Sequence, residues 1–561
     1  MDEPIISDEL NSELTGLNKG DKDKKKKLFY IGIGAAAFLL ILIIVIIIIV
    51  MTSKSKSGNN ESIGEINLIY NVQRSDIKTV ILGNEFKKGD AEFDIIIDGN
   101  VIKYSKEYQF ENVGMNNVTI KLFTNLNMDY MFKDVDDLTE VEMKSNGKCQ
   151  ITSMKSTFEN CYNLDHFNLT GFGAKNLKST HKLFYNTGLK LYSFSSFDTL
   201  NLEDASYMFA ASRISVFLFN SFNTNKVTNM SHMLEDCSSL QWIQTTGAQT
   251  ENVVDMSYLF NFISSINYMD LSNLKTSNVK YMSHMFSNCY TLTQLEINHL
   301  DTSNVIDMSY MFENCNSLEL VDLSNFDTRN VKNISSMFQY CSSLTKLDIK
   351  NFDTKNVEDM SGLFASCRQF KEIDISNFDF SNNRDMSKMF FECGLLEKIT
   401  FGKIDTSKVE NMASLFDSCR SLTSIDLSNF NTENVLDMSN MFQDCSKLKS
   451  LDVSKFDTRK VLNMSRLFEG CLGLTSLDVS KFDTKEVKDM TKMFEFTTLT
   501  SLDVSNFDTS NVISMLDMFA EMKTLTSLDV SRFNTKNAKD LAGMFYDCNN
   551  LKELKIENFD T

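Results

Sequence analysis

The chain has 561 residues, a net charge of −19 and a single proline, Pro4. That acidic excess excludes nucleic acid as an expected partner, because a phosphate backbone would be repelled. The length would hold several domains, but an internal repeat makes most of the chain one elongated body.

Residues 1–27 are polar, carry Lys19, Lys22 and Lys24 to Lys27, and read as a cytoplasmic tail. Leu28 to Met51 carry no charge, and this span of 24 residues is long enough to cross a bilayer core of ~30 Å as a transmembrane helix. A cleaved signal peptide would need a small-residue cleavage site, and Met51-Thr52-Ser53-Lys54 is a poor one. Six lysines precede the span, against Lys54 and Lys56 just after it. That asymmetry predicts a single-pass type II signal-anchor in the cell membrane with the rest of the chain extracellular. Residues 52–62 form a Ser/Asn/Lys-rich stalk. Residues 63–127 lack the repeat and alternate as strands over Ile66–Tyr70, Thr79–Leu82, Phe93–Ile97, Val101–Tyr104 and Val118–Phe123. Asp98-Gly99-Asn100 is a hairpin signal. This segment is expected to be a small β-rich domain capping the apolar end of the repeat array.

From residue 128 to 561 the chain consists of about 17 units of 25–26 residues, marked by Phe132, Phe158, Phe184, Phe209, Leu234, Phe260 and their successors to Phe545. A fixed period in this range means a solenoid whose units bury their apolar faces against one another. In the unit Thr302–Thr328, Val305, Met308, Met311, Phe312 and Cys315 fall on one face of a helix of about three turns. Asn304 and Asp307 suit a capping box, and Asn316-Ser317 a helix end. Leu318, Val321 and Leu323 then form a strand that sends Leu320, Asp322 and Ser324 outward. Phe326 stands where many solenoids of this type carry a buried Asn, so core volume rather than polar pairing is expected to hold the turns together. The fold class expected is an α/β solenoid, a leucine-rich-repeat-like right-handed stack of strand-turn-helix units with one parallel sheet.

The run LxxLDLSNFDTSNVxDMSxMFxxC resembles the 26-residue bacterial-surface-protein repeat of the BspA-like leucine-rich-repeat family, over roughly Met131 to Thr561. The resemblance implies a surface protein of bacteria or protists, several relatives of which look like adhesins for host or matrix proteins.

Cys289, Cys315, Cys341, Cys367, Cys393, Cys419, Cys445 and Cys471 hold equivalent positions. Stacked at ~4.8 Å with parallel Cβ vectors, they are expected to be buried free thiols. A Cys149–Cys161 bridge stays open as an exception. The five histidines, His166, His181, His232, His284 and His299, form no catalytic constellation, and His232 and His284 share one position on the outer surface of the expected helix. No nucleophile elbow, zinc or dinucleotide motif is present, so no enzyme is expected.

Two columns on the outward strand face are candidate sites. One is acidic: Asp270, Glu296, Asp322, Asp348, Asp374, Asp426, Asp452, Asp478, Asp503 and Asp529, with Thr400 interrupting. Carboxylates ~4.8 Å apart repel by roughly 0.9 kcal/mol per neighbour in water. Ser hydroxyls, Lys346 and Lys350, or bound cations would offset that. A solvated polar face is the plain reading, and a surface for Ca²⁺ or a basic partner the sharper one. The other column is apolar: Leu191, Val216, Leu218, Trp242 and Tyr268, a candidate protein-contact patch centred on the single tryptophan. No cofactor is otherwise called for. Sequons stand at Asn60, Asn117, Asn168, Asn229, Asn333 and Asn463. The chain stops after a strand, at Phe559-Asp560-Thr561, so self-association at an open end and truncation are both readings. The function expected is a membrane-anchored cell-surface protein whose solenoid binds a host, matrix or neighbouring-cell protein. The alternative is a structural surface coat with no discrete ligand.

Overall fold

The computed structural model describes residues 61–193 and 199–559; the tail, the apolar span and most of the stalk lie outside them. Among the described residues no helix is long and apolar enough to cross a membrane. The segment after residue 63 is built on strict alternation. Ile66, Leu68, Tyr70 and Val72 point inward from the strand Gly64–Val72, and the residues between them are half-exposed. Phe93–Ile97 turns into Asn100–Ile102 through Asp98 (φ 51°) and Gly99 (φ 78°), a hairpin whose two left-handed residues follow from Asp-Gly. Gly64–Val72 pairs antiparallel with Gly114–Leu122 on one side and with Leu138–Ser145 on the other. Leu138–Ser145 is also the first strand of the repeat and pairs parallel with His166–Thr170, which pairs with Leu191–Ser193. The N-terminal strands therefore extend the solenoid's own sheet and occupy the edge of its first coil.

Beyond this the repeat is a β-solenoid, and the expected α-helix in each coil is absent among the described residues. The segment after Val305 is instead a run of turns. Met308, Tyr310, Phe312 and Asn314 donate their N–H groups to the next coil, at Asn333 O (3.0 Å), Ser335 O (2.8 Å), Met337 O (2.9 Å) and Gln339 O (2.8 Å). The amides between them close tight turns, Met311 N to Met308 O at 3.3 Å and Glu313 N to Tyr310 O at 3.0 Å. Each pair of turns needs a left-handed residue, here Tyr310 and Asn314, both at φ 58°. A helix would spend those amides within its own segment. The stack can satisfy them between coils because every coil repeats the same backbone path. Val305, Met308, Met311, Phe312 and Cys315 are all fully buried by this arrangement, so the inward set is the one a helix would give. Asn304 and Asp307 do not cap a helix. Asn304 Nδ2 donates to Ser277 O (2.7 Å), and Asp307 Oδ1 accepts from Ser309 N (2.9 Å).

The strand side is also less regular than one unbroken parallel sheet. Three- and four-residue parallel pairs such as Tyr268–Asp270 with Gln294–Glu296 alternate with coils whose equivalent residues form no ladder. A second line of single parallel bridges runs from Ser179↔Asp204 to Ser514↔Asp540.

Columns of identical side chains fill the interior. The Met-Phe rings stack coil on coil, for example Phe286–Phe312 at 5.7 Å and Phe494–Phe519 at 5.7 Å. Leu234 interrupts the series. All twelve cysteines are free, Cys149 and Cys161 included, and Cys315 Sγ donates to Phe286 O at 3.2 Å. Polar pairing holds the turns after all. Thr302 Oγ1 donates to Asp327 O (3.0 Å) and accepts from Asp327 N (2.7 Å), and the buried Thr328, Thr354, Thr432 and Thr458 at this position make both bonds too. Expecting core volume alone overlooked this column, because the partner of Thr302 lies 25 residues away and those of the other threonines 24 or 25.

Candidate interaction surface

The outward strand face carries the apolar candidates. Val216 (37% exposed) lies opposite Trp242 (46%) in the parallel pair Val216–Leu218 with Trp242–Gln244. Tyr268, half-buried, holds the equivalent position one coil further on, opposite Gln294. Leu218 is half-buried and sits in the neighbouring column, opposite Gln244. Leu191 pairs with His166 through its backbone, and its side chain lies outside the described residues. The column continues past Gln294 to Leu320, which is 67% exposed. Leu320 thus extends the patch beyond the residues singled out from the sequence. Burial, with the Asp270 and Glu296 carboxylates next, raises the Tyr268 phenol, so the patch lies beside negative charge.

The acidic column is exposed throughout, and its charges are held locally. Asp322 Oδ1 accepts from Ser324 N at 3.0 Å, and the same turn closes at Asp270, Asp374, Asp426, Asp452, Asp478, Asp503 and Asp529. Asp348 accepts from Lys350 N at 3.3 Å. The Ser531 hydroxyl, then Lys555, hold Asp529 down at about 2. Glu296 is exposed in the same column. Among the described residues no group of His, Cys, Asp and Glu is arranged to hold a metal ion. Donors two residues along the chain therefore offset the repulsion between neighbouring carboxylates.

The turn side carries a feature that the sequence alone left in pieces. Tyr207, His232, Tyr258, His284 and Tyr310 are equivalent residues of successive coils, each left-handed (φ 56–59°). Their rings stack at 4.1, 4.3, 4.3 and 4.5 Å with tilts of at most 12°. Treating His232 and His284 as helix-surface residues misses the tyrosines between them. The detectable signal is the 25–26-residue spacing of alternating Tyr and His. His232 Nδ1 lies 2.7 Å from Glu235, and His284 Nδ1 lies 3.8 Å from Glu313. Burial pushes His284 down to about 4, so at neutral pH it stacks uncharged. His181 Nδ1 meets Ser206 Oγ at 2.8 Å, and Ser206 is 4% exposed. His166 is half-buried on the strand His166–Thr170, and His299 half-buried near the end of its coil.

Of the sequons, Asn117 is exposed on its strand and Asn168 half-buried. Asn229, Asn333 and Asn463 close turns by accepting the N–H of Ser231, Ser335 and Ser465. Asn60 lies outside the described residues.

No curated protein matches the chain. Among solved structures, a leucine-rich repeat protein from Eubacterium ventriosum is similar at 15% identity and a TM-score of 0.31, with 66% of this chain and 93% of that one covered. A TLR13–ssRNA13 complex is similar at 13% identity and a TM-score of 0.19, with 78% of each chain covered. A family model also matches, at residues 105–217, 218–320, 290–398, 385–477 and 473–561. With most of its length spanned by these repeats, the chain belongs to the family described as Mycoplasma protein of unknown function, DUF285.

Proposed function

We propose that this protein is a single-pass, membrane-anchored cell-surface protein of the BspA-like kind, whose solenoid binds a protein of the host, the matrix or a neighbouring cell. The observation that supports the reading most is Trp242, the chain's single tryptophan. It stands 46% exposed in a column with Val216, Tyr268 and Leu320 on an otherwise polar face. An exposed aromatic flanked by Val216 and Tyr268 has the composition of a protein-contact hot spot. The uncharged span Leu28–Met51 and the lysines before it support the anchor and its orientation. In this reading the protein is no enzyme and takes no nucleic acid, and the acidic column keeps the solenoid soluble.

The test has two arms. Protease treatment of intact cells should release fragments of residues 61–559; a fully protected protein would end the surface reading. The full chain should bind a purified extracellular-matrix protein saturably. Trp242→Ala with Tyr268→Ala should weaken that binding by about tenfold or more. Unchanged affinity in a folded double variant would remove the patch from the mechanism.

A further inference from the structure

The Tyr/His ladder on the turn side ends differently at its two termini. Before Tyr207, the equivalent residue of the preceding coil is Lys182. Its Nζ lies 5.0 Å from the Tyr185 ring centroid, 5.6 Å from that of Tyr207 and 3.9 Å from Glu159. The protein itself therefore places a cation against this end, held by ring faces and a carboxylate. After Tyr310 the next two residues of the column are Ser336 and Gly362, both small. No ring stacks beyond Tyr310 among the described residues, so its outer portion extends past a serine. Gly362 brings two oxygens together at the foot of this step. A Cβ there would meet Ser336 Oγ at 2.7 Å and Gln339 Oε1 at 3.7 Å. Negative charge lies beside the ladder on the turn side: Asp307 and Glu313 both act on the Tyr258 ring, and Glu313 lies 3.8 Å from His284 Nδ1.

We propose that the Tyr310 end of the ladder is a docking point for an arginine of a basic partner segment, its guanidinium lying on the Tyr310 ring as the next rung. A planar guanidinium suits the place better than an ammonium. It stacks on an aromatic face and at the same time donates to an oxygen in its plane, here the half-buried Gln339 amide; Ser336, 6% exposed, makes room for it and is not itself a contact. The surrounding carboxylates attract the rest of a basic segment. Tyrosine and histidine are concentrated in the coils up to and including that of Tyr310. Ten of the sixteen tyrosines lie between Tyr162 and Tyr340, and all five histidines between His166 and His299. This surface lies on the turn side and does not depend on the Trp242 patch.

The probe is fluorescein-labelled hexa-arginine, titrated into the full chain by anisotropy, with hexa-lysine and hexa-glutamate for comparison. Hexa-arginine should bind about fivefold or more tighter than hexa-lysine, and Tyr310→Ala should cost about tenfold. Ser336→Lys should cost at least as much by seating an internal cation on the ring. Lys388, Arg466 and Lys492 occupy the same left-handed position, so the substitution suits the fold. Trp242→Ala and Asp452→Asn should leave the affinity within about twofold, which separates this site from the strand face and from general charge attraction. Equal binding by Tyr310→Ala and Ser336→Lys overturns the proposal. So does a loss shared evenly with Asp452→Asn, a loss confined to Trp242→Ala, or no measurable hexa-arginine binding.

Discussion

Asp417 is the residue least at ease in its coil. It is 7% exposed, one position after Phe416 in the spine, and its carboxylate accepts from Ser418 Oγ at 2.9 Å and from the Ser414 hydroxyl. Burial, with Asp444 and Glu392 adding like charge, pushes its carboxyl up to about 6 from 3.8. Between those pH values the folded chain holds this proton more tightly than the unfolded chain. Its contribution is therefore most favourable below about pH 4 and is lost as pH rises through about 6. Asn261 and Gln443 occupy the same column, so an amide fits there. Asp417→Asn should be more stable than the parent by roughly 1–3 kcal/mol at pH 7.5, with the gap closing towards pH 4. Urea unfolding at the two pH values measures it, and a gain that does not depend on pH would mean that the buried charge is not the cause.

A column is the natural element of this fold, and columns decide what the sequence reveals. Alternation placed the N-terminal strands near their observed positions, because Ile66, Leu68 and Tyr70 have one way to face a core. The outward and inward order at Leu320, Val321 and Leu323 was equally legible. The helix was not, since Met308, Met311, Phe312 and Cys315 turn inward in a helix and in this chain of turns alike. What differs is where the amides go, and Phe312 N finds Met337 O 25 residues on, a partner that local periodicity does not show. The patch around Trp242 was visible as a break in a polar column, whereas the Tyr/His ladder needed the coils aligned with one another. The cysteine column was read correctly as free thiols, and its chemistry is testable. Burial pushes Cys289 and Cys393 up to about 12, and eleven of the twelve thiols are buried. In the native chain a thiol reagent at pH 8 should label Cys548, the half-buried member, and the remaining thiols only once denaturant is added. Rapid native labelling of Cys315 or Cys367, read by mass spectrometry, would mean that the coils open locally.

Across the whole molecule each coil is bound mainly to the coil before it and the coil after it. Met308 N reaches Asn333 O, Met282 N reaches Asp307 O, and Thr302 Oγ1 bonds Asp327. Stability in such a stack is close to a sum of coil and interface terms, so register matters more than length. Asp301 and Asp327 are equivalent residues, each followed by a ladder threonine. Removing residues 302–327 would join Asp301 to Thr328 and leave every column continuous, with Phe286 facing Phe338 and Thr276 bonding the coil that begins at Thr328. Removing residues 302–314 would place the turn segment of one coil against the strand of the next, with the left-handed residues, the spine and the threonines all out of line. The in-register deletion should keep a cooperative thermal transition within a few degrees of the parent, on the order of one lost interface. The thirteen-residue deletion should broaden the transition or abolish it, because the amides of a whole coil lose their acceptors. Circular dichroism melts of the two deletions decide the matter. Equal tolerance of both would mean that the coils fold as separate bodies and that the bonds between them do not carry the structure.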